Sequence, residues 1–274
     1  MSLFTVDATL CKKDGLCAAV CPVRIIANNK QTQIPEPVEN ADELCINCGH
    51  CMAICPYGAL SLTKMSPAQC RQIPKDWNLS PQQVELFLKA RRSIRVYKKE
   101  PVSRDTIEKI IDVARYAPSG INRQPVHWLV VYDTKKVTEL AKLVIDWMRI
   151  LISEKASIAE SLRMQNTVDA WDNGDDRILR KCPHVVIAYA LKDDMTAMQA
   201  ATISLAYLEL AAVSFGLGAC WAGYLQMAVN MCPAAMESLG INKKCSCFGA
   251  MMLGYPQHHY IRIPLRNTPS IKWK

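Results

Sequence analysis

The apolar positions of this chain fall into two textures that meet near residue 80. Beyond it, long stretches carry either helical or strand-like spacing. Ser80 followed by Pro81 predicts a helix start, continuing through Val84–Ala90. Ser103 predicts another, with Ile107, Ile110, Ile111 and Ala114 on one face and an end before Pro118. Val126–Tyr132 reads as a buried strand. Thr134 to about Glu154 reads as a helix with Val137, Leu140, Ala141, Val144 and Met148 in phase. Residues 156–180 read as helical, interrupted at Asn173-Gly174. His184–Ala190 predicts a strand, and Thr196–Phe215 a long apolar helix ended by Gly216 and Gly218. A short strand over Ala219–Gly223, a small helix over Pro233–Leu239 and a last strand over Cys247–Leu253 complete the series. Strands separated by helices predict an α+β layer fold.

Residues 1–63 are different: short apolar segments broken by Cys, Pro, Asn and Gly. So small a module is marginal without a staple. Residues 64–80 hold two prolines and few periodic apolar positions. The expected organisation is a domain over 1–63, a linker over 64–80 and a larger domain over 81–274.

Composition sharpens this. The chain has 274 residues, half of them hydrophobic, which excludes a disordered chain. Its net charge of +8 is split: residues 1–65 hold five basic and six acidic side chains, the remainder 28 and 19. No long basic run accompanies the excess, so nucleic acid is not expected as a partner. The N-terminal stretch lacks a charged start followed by an apolar run, so no secretion signal is expected. Ala200–Gly223 is apolar enough to span a bilayer except for Glu209, and a buried central helix is the expected reading rather than a membrane span. A cytoplasmic, reducing setting follows, in which clustered thiols mean metal or redox chemistry rather than disulfides.

Seven of the 13 cysteines lie in the first 55 residues. Cys45, Cys48, Cys51 and Cys55 form C-x2-C-x2-C-x3-C followed by Pro56, a spacing that wraps a chain turn around cluster iron. Zinc sites usually pair two C-x2-C knuckles across a longer gap, which disfavours zinc. A matching run, Cys11-x5-Cys17-x3-Cys21-Pro22, has Asp14 where the repeat calls for cysteine. Residues 3–63 resemble the two-cluster bacterial ferredoxins. Crosswise ligation of that kind implies one cluster on Cys11, Asp14, Cys17 and Cys55, and another on Cys45, Cys48, Cys51 and Cys21. A carboxylate is a harder, weaker ligand for cluster iron than a thiolate. Two readings of Asp14 stand: a labile ligand, with the site interconverting between [4Fe–4S] and [3Fe–4S], or a solvent-facing residue beside an incomplete cluster.

In the larger domain, Arg91-Arg92-Ser93-Ile94-Arg95 offers guanidinium forks and a hydroxyl suited to phosphate. Pro118-Ser119-Gly120-Ile121-Asn122, then Gly216–Gly223 (GLGACWAG), then Leu253–Pro256 with Arg262 and Arg266 beyond, follow in order. Over residues 82–268 this set resembles the nitroreductase-like flavoproteins. The resemblance implies FMN and an intertwined homodimer with each flavin at the subunit interface. It implies that Arg91, Ser93 and Arg95 hold the FMN phosphate, with Arg92 contributing backbone and Arg262 or Arg266 joining. It also implies that Pro118, Ser119, Gly120 and Asn122 reach the flavin from the partner, and that Ala222 and Gly223 lie near its N5.

Other features read as structural. The five histidines show no triad or metal spacing, and His184 reads as a satisfied core residue. Cys70, Cys182, Cys220, Cys232, Cys245 and Cys247 read mostly as buried small residues. Residues 156–180, with Trp171, are a candidate lid. No acid or base is identifiable, so no catalytic side chain is named.

Clusters beside a flavin predict an iron–sulfur oxidoreductase that passes electrons between [4Fe–4S] centres and FMN to reduce an organic acceptor such as a nitroaromatic or quinone. Two alternatives stand beside it. Either NAD(P)H or a reduced substrate loads the flavin and the clusters discharge to a redox partner, or the chain is a non-catalytic carrier or sensor. No G-x-G-x-x-G follows a strand, so a dedicated nicotinamide domain is not expected.

Overall fold

The computed structural model describes residues 3–274, and Met1 and Ser2 of the expected first domain lie outside it. The chain divides into two compact units, one ending at Leu79 but including Ile121–Arg123, the other made of Ser80–Gly120 and Gln124–Lys274.

The first unit contains β1 (Phe4–Val6), α1 (Leu16–Ala19), β2 (Ile26–Asn28), β3 (Pro35–Pro37), α2 (Ala41–Leu44), α3 (His50–Ala53) and β4 (Leu60–Leu62). β1 pairs antiparallel with β4, and β2 with β3. Phe4, Ile25, Met52, Leu60 and Leu62 are buried together with Cys17. The internal repeat of the sequence is also a structural repeat. Gly15 and Gly49 precede α1 and α3 in the left-handed region, at φ 74° and 75°, a conformation that glycine adopts without steric cost. Within the expected linker, Pro67–Gln69 forms a 3-10 turn closed by Ser66 and Gln69.

The second unit starts with α4 (Pro81–Ala90), where the Ser80 hydroxyl accepts from the Gln83 amide and Gln83 answers with its own side chain. At α5 (Arg104–Ala114) the Ser103 hydroxyl accepts from the Thr106 amide. Then follow β5 (His127–Val131), α6 (Thr134–Ser153), α7 (Ser157–Ser161), α8 (Met164–Asp172), β6 (His184–Leu191), α9 (Ala197–Ser214), β7 (Gly218–Trp221), α10 (Gly223–Met231), α11 (Pro233–Ser238) and β8 (Cys245–Gly254). The strands form one antiparallel sheet in the order β5-β6-β8-β7.

Both faces of this sheet are covered. Val185 and Ile187 of β6 pack with residues of α6, α8 and α10, whereas Val186 and Ala188 pack with α5 and α9. Alternation along the strand therefore reaches two apolar layers, which is why His184–Ala190 reads as an unbroken apolar run. α9 is the one described helix long and apolar enough to cross a membrane by composition, and half of it is buried within the chain.

Three expectations need correction. The interruption expected at Asn173-Gly174 is present, since α8 ends at Asp172, but the helical stretch also breaks earlier, at Arg163, whose φ is 49°, and residues 175–180 are not helical. The buried Asp176 carboxylate then accepts the Ile178, Leu179 and Lys181 amides at 2.8–3.0 Å, holding a loop. The strand expected to reach Gly223 stops at Trp221, and Gly223 instead opens α10, a helix not anticipated. Gly218 lies inside β7 rather than ending α9.

Candidate functional site

In the first unit the cysteines sort into two cavities. Cys21, Cys45, Cys48 and Cys51 line one, and Cys11, Asp14, Cys17 and Cys55 line the other. The turns between ligands create this sorting. Each left-handed glycine aims the following short helix so that its run's last cysteine, ahead of proline, leaves for the opposite cavity. Backbone amides already point at sulfur: Asn47 N–H donates to Cys45 Sγ and Ala59 N–H to Cys55 Sγ, each at 3.4 Å. Burial pushes the Cys17 thiol up and the Cys51 thiol up to about 11. Four cysteines around one cavity, and three cysteines with Asp14 around the other, fit clusters rather than single ions. Asp14 shares its cavity, while one of its oxygens accepts from the Leu16 amide at 3.2 Å.

In the second unit, the basic segment following α4 is fastened to its neighbours. Ile94 N–H donates to the Ala219 carbonyl of β7 at 3.0 Å, and Tyr97 Oη to the Ile94 carbonyl at 2.6 Å. Gly218 leaves room for Ile94: a Cβ there would lie 2.2 Å from Ile94 Cγ1. Arg91 Nη1 donates to Glu209 Oε1 of α9 at 2.8 Å. Burial pushes the Glu209 carboxyl up, with Arg91 pulling it back. Arg92 Nη1 donates to the Arg91 carbonyl, while its Nε and Nη2 are buried with no partner. Arg95 is exposed and reaches the Ser93 carbonyl at 3.4 Å. An orphaned guanidinium edge is what an absent phosphate would satisfy, so these residues fit FMN.

Arg266 joins Arg91 and Arg92 in lining a cavity of about 440 Å³, which Arg262 does not line. Ala222 N–H is spent on the Ala250 carbonyl at 2.8 Å, whereas Gly223 opens α10, where first-turn amides lack helical partners. Pro118, Ser119 and Gly120 belong to the second unit, and Ser119 Oγ accepts from the Gln124 amide at 2.9 Å. Asn122 falls in the first unit, where its side-chain amide donates to the Ile46 and Asn47 carbonyls, each at 3.0 Å. Ile121, Asn122 and Gln124 all have positive φ, between 45° and 55°.

Of the six remaining cysteines, Cys182, Cys220, Cys245 and Cys247 are buried, Cys232 is half-buried and Cys70 is exposed. The partner of Glu209 is the feature sequence reasoning missed. Its signal was present: a lone carboxylate in an apolar helix requires a cation.

A model of the nitroreductase family matches residues 88–255, and a model of a 4Fe–4S dicluster domain matches residues 4–56. An Archaeoglobus fulgidus protein described as a "Putative NADH dehydrogenase/NAD(P)H nitroreductase" is 30% identical over 167 residues, 61% of this chain and 82% of its own. A Methanothermobacter thermautotrophicus protein with the same description is 25% identical over 181 residues, 66% of this chain and 81% of its own. The structure of an FMN-bound nitroreductase from Bacteroides fragilis shares the fold at a TM-score of 0.57 and 23% identity, covering 70% of this chain and 98% of that one.

Proposed function

Because the chain belongs to the nitroreductase family of oxidoreductases and carries a 4Fe–4S dicluster segment, we propose that it is an iron–sulfur flavoprotein passing electrons between its clusters and FMN to reduce an organic acceptor, such as a nitroaromatic or quinone. The observation that carries this reading is the pairing, in one chain, of one cavity lined by four cysteines and one lined by three cysteines and Asp14 with an unpartnered buried guanidinium. When bound, clusters relay single electrons and FMN exchanges one or two, delivering hydride equivalents to the acceptor.

The chain's own residues hold and orient these groups. Cys21, Cys45, Cys48 and Cys51 hold one cluster, and Cys11, Cys17 and Cys55 with Asp14 the other. Arg92, Ser93, Arg95 and Arg266 hold the FMN phosphate. Gly223 brings an amide close to the flavin ring, and Pro118–Gly120 approach the flavin of a second copy. The chain acts as a homodimer in a reducing cytosol, and its acidic N-terminal segment receives electrons from a small basic redox protein.

Anaerobic purification with iron, sulfide and flavin analysis tests this reading. It is followed by reduction with a low-potential one-electron donor against NADH and NADPH. Turnover of a nitroaromatic with cluster reoxidation is the expected outcome, and protein that binds no flavin overturns the reading. A second reading has NAD(P)H loading the flavin and the clusters discharging to a partner. It is favoured by the descriptions of the two archaeal relatives, and the same donor comparison decides between them.

Asp14 sharpens the cluster assignment. Graded mild oxidation should produce a three-iron EPR signal, and Asp14→Cys should suppress it. A signal equal in both proteins would place the labile iron elsewhere.

A further inference from the structure

The internal repeat of the first unit lets its two ligand turns be compared position by position. Cys45-Ile46-Asn47-Cys48 corresponds to Cys11-Lys12-Lys13-Asp14, and Asn47 and Lys13 are both left-handed, at φ 50° and 58°. The turns differ in what meets them. The Ile46 and Asn47 carbonyls each accept from Asn122 Nδ2 at 3.0 Å. Carbonyls can only be met by donors, so the nitrogen end of the amide faces them and both of its N–H groups are engaged. Among the described residues no donor meets the Lys12 or Lys13 carbonyl. Asn122 is also held in a strained turn. Ile121 and Asn122 lie in the left-handed region, at φ 45° and 55°, where a β-branched side chain is disfavoured. Ile121 is 64% exposed, so its own burial does not offset that strain. Strained backbone persists where its surroundings fix it, and such residues gather at functional sites.

The geometry of the peptide unit explains what the contact does. The carbonyl of one residue and the N–H of the next share one rigid plane and point opposite ways. The Ile46 carbonyl therefore belongs to the same unit as the Asn47 N–H, and that N–H donates to Cys45 Sγ at 3.4 Å. By holding the carbonyl, Asn122 aims the N–H at sulfur. Each hydrogen bond also polarises the next, from the Asn122 amide through the Ile46–Asn47 peptide to the Cys45 sulfur. Hydrogen bonds to cluster sulfur favour the more negative, reduced cluster and raise its potential.

We propose that Asn122 is a positioning residue for the all-cysteine cluster, that it raises the reduction potential of that centre through the Ile46–Asn47 peptide, and that the cluster beside Asp14 lacks this control. The inference rests on the cluster assignment above. The step it bears on is the one-electron reduction of that cluster, with the electron coming from the low-potential donor of the proposed function.

The test is EPR-monitored potentiometry of the cluster-loaded full chain, which reads a midpoint for each centre. Asn122→Gly removes the amide and tolerates the left-handed backbone. It should make reduction of one centre about 3- to 10-fold less favourable, the span of one hydrogen bond. That is a fall of about 30 to 60 mV, at about 59 mV per tenfold for one electron. The other centre should stay within about 2-fold of the parent, less than one such bond. Asp14→Cys acts on the other cavity, so any midpoint it moves should be the one that Asn122→Gly leaves in place. Should Asn122→Gly fail to load iron, Asn122→Ser serves, because its hydroxyl ends one bond short of the amide nitrogen, and the same single midpoint should fall. No fall in either midpoint, an equal fall in both, or a fall in the centre that Asp14→Cys moves overturns the proposal. A parent chain that takes up no iron or sulfide sinks the cluster assignment itself, and is distinguishable from all three.

Discussion

His184 shows how a single side chain can carry a pH dependence. It is fully buried and stacks on Tyr132 with ring centroids 4.5 Å apart. Val102 N–H can only donate, so Nε2 accepts it at 2.9 Å, and Nδ1 therefore carries the proton given to the Tyr132 carbonyl at 2.8 Å. Burial holds the imidazole below its ordinary value. Below about pH 6.5 the unfolded chain takes up a proton that the folded chain refuses, so stability is full above that pH and falls as pH drops through it, by up to ~1.4 kcal/mol per unit. Thermal unfolding between pH 7.5 and 5 should show this slope, and His184→Gln should flatten it. An equal slope in both proteins would remove His184 as the cause. The role of this histidine was legible in the sequence, since a His opening an apolar strand without metal spacing is a core residue. The unequal arginines were not, because the partner that separates Arg91 from Arg92 lies 118 positions away.

Elements were legible where local chemistry marks their ends. Ser80 and Ser103 cap α4 and α5 as their positions suggest. α10 was hidden because it begins at a glycine directly after a strand, where no capping side chain announces it. The two glycines after α9 separate local from tertiary demands. Gly216 sits at φ 70°, the left-handed turn that ends a helix, while Gly218 has an ordinary backbone but meets the Ile94 side chain. Gly218→Ala should therefore cost about 1–3 kcal/mol by overpacking and, by pushing on the segment that holds Arg92, reduce flavin content on purification. Gly216→Ala should cost about 1–2 kcal/mol and leave flavin content unchanged. Thermal denaturation with flavin analysis separates them, and equal flavin loss would show that Gly218 has no special link to the basic segment.

At the scale of the whole molecule, apolar surface is left uncovered in the second unit. Ile203, Tyr207 and Val213 of α9 are partly exposed, and beyond β8 Leu265 is 95% and Trp273 89% exposed. These are side chains that the proposed homodimer would bury. Light scattering should give a dimer, and Ile203→Asp with Tyr207→Asp should yield monomer with reduced flavin. A parent protein that is monomeric when loaded would contradict the homodimer. The two-part organisation of the chain was read from the change of apolar texture near residue 80, the clustered cysteines and the basic segment, but the covering of the sheet on both faces needed the three-dimensional packing. The crosswise sorting of cysteines has one more consequence. Each cavity borrows its last sulfur from the other run, so iron entering either one fastens both runs, as a clasp closes two ends of a cord. The module then has no viable half. Under the proposed ligation, deleting either run would leave both centres short of a ligand.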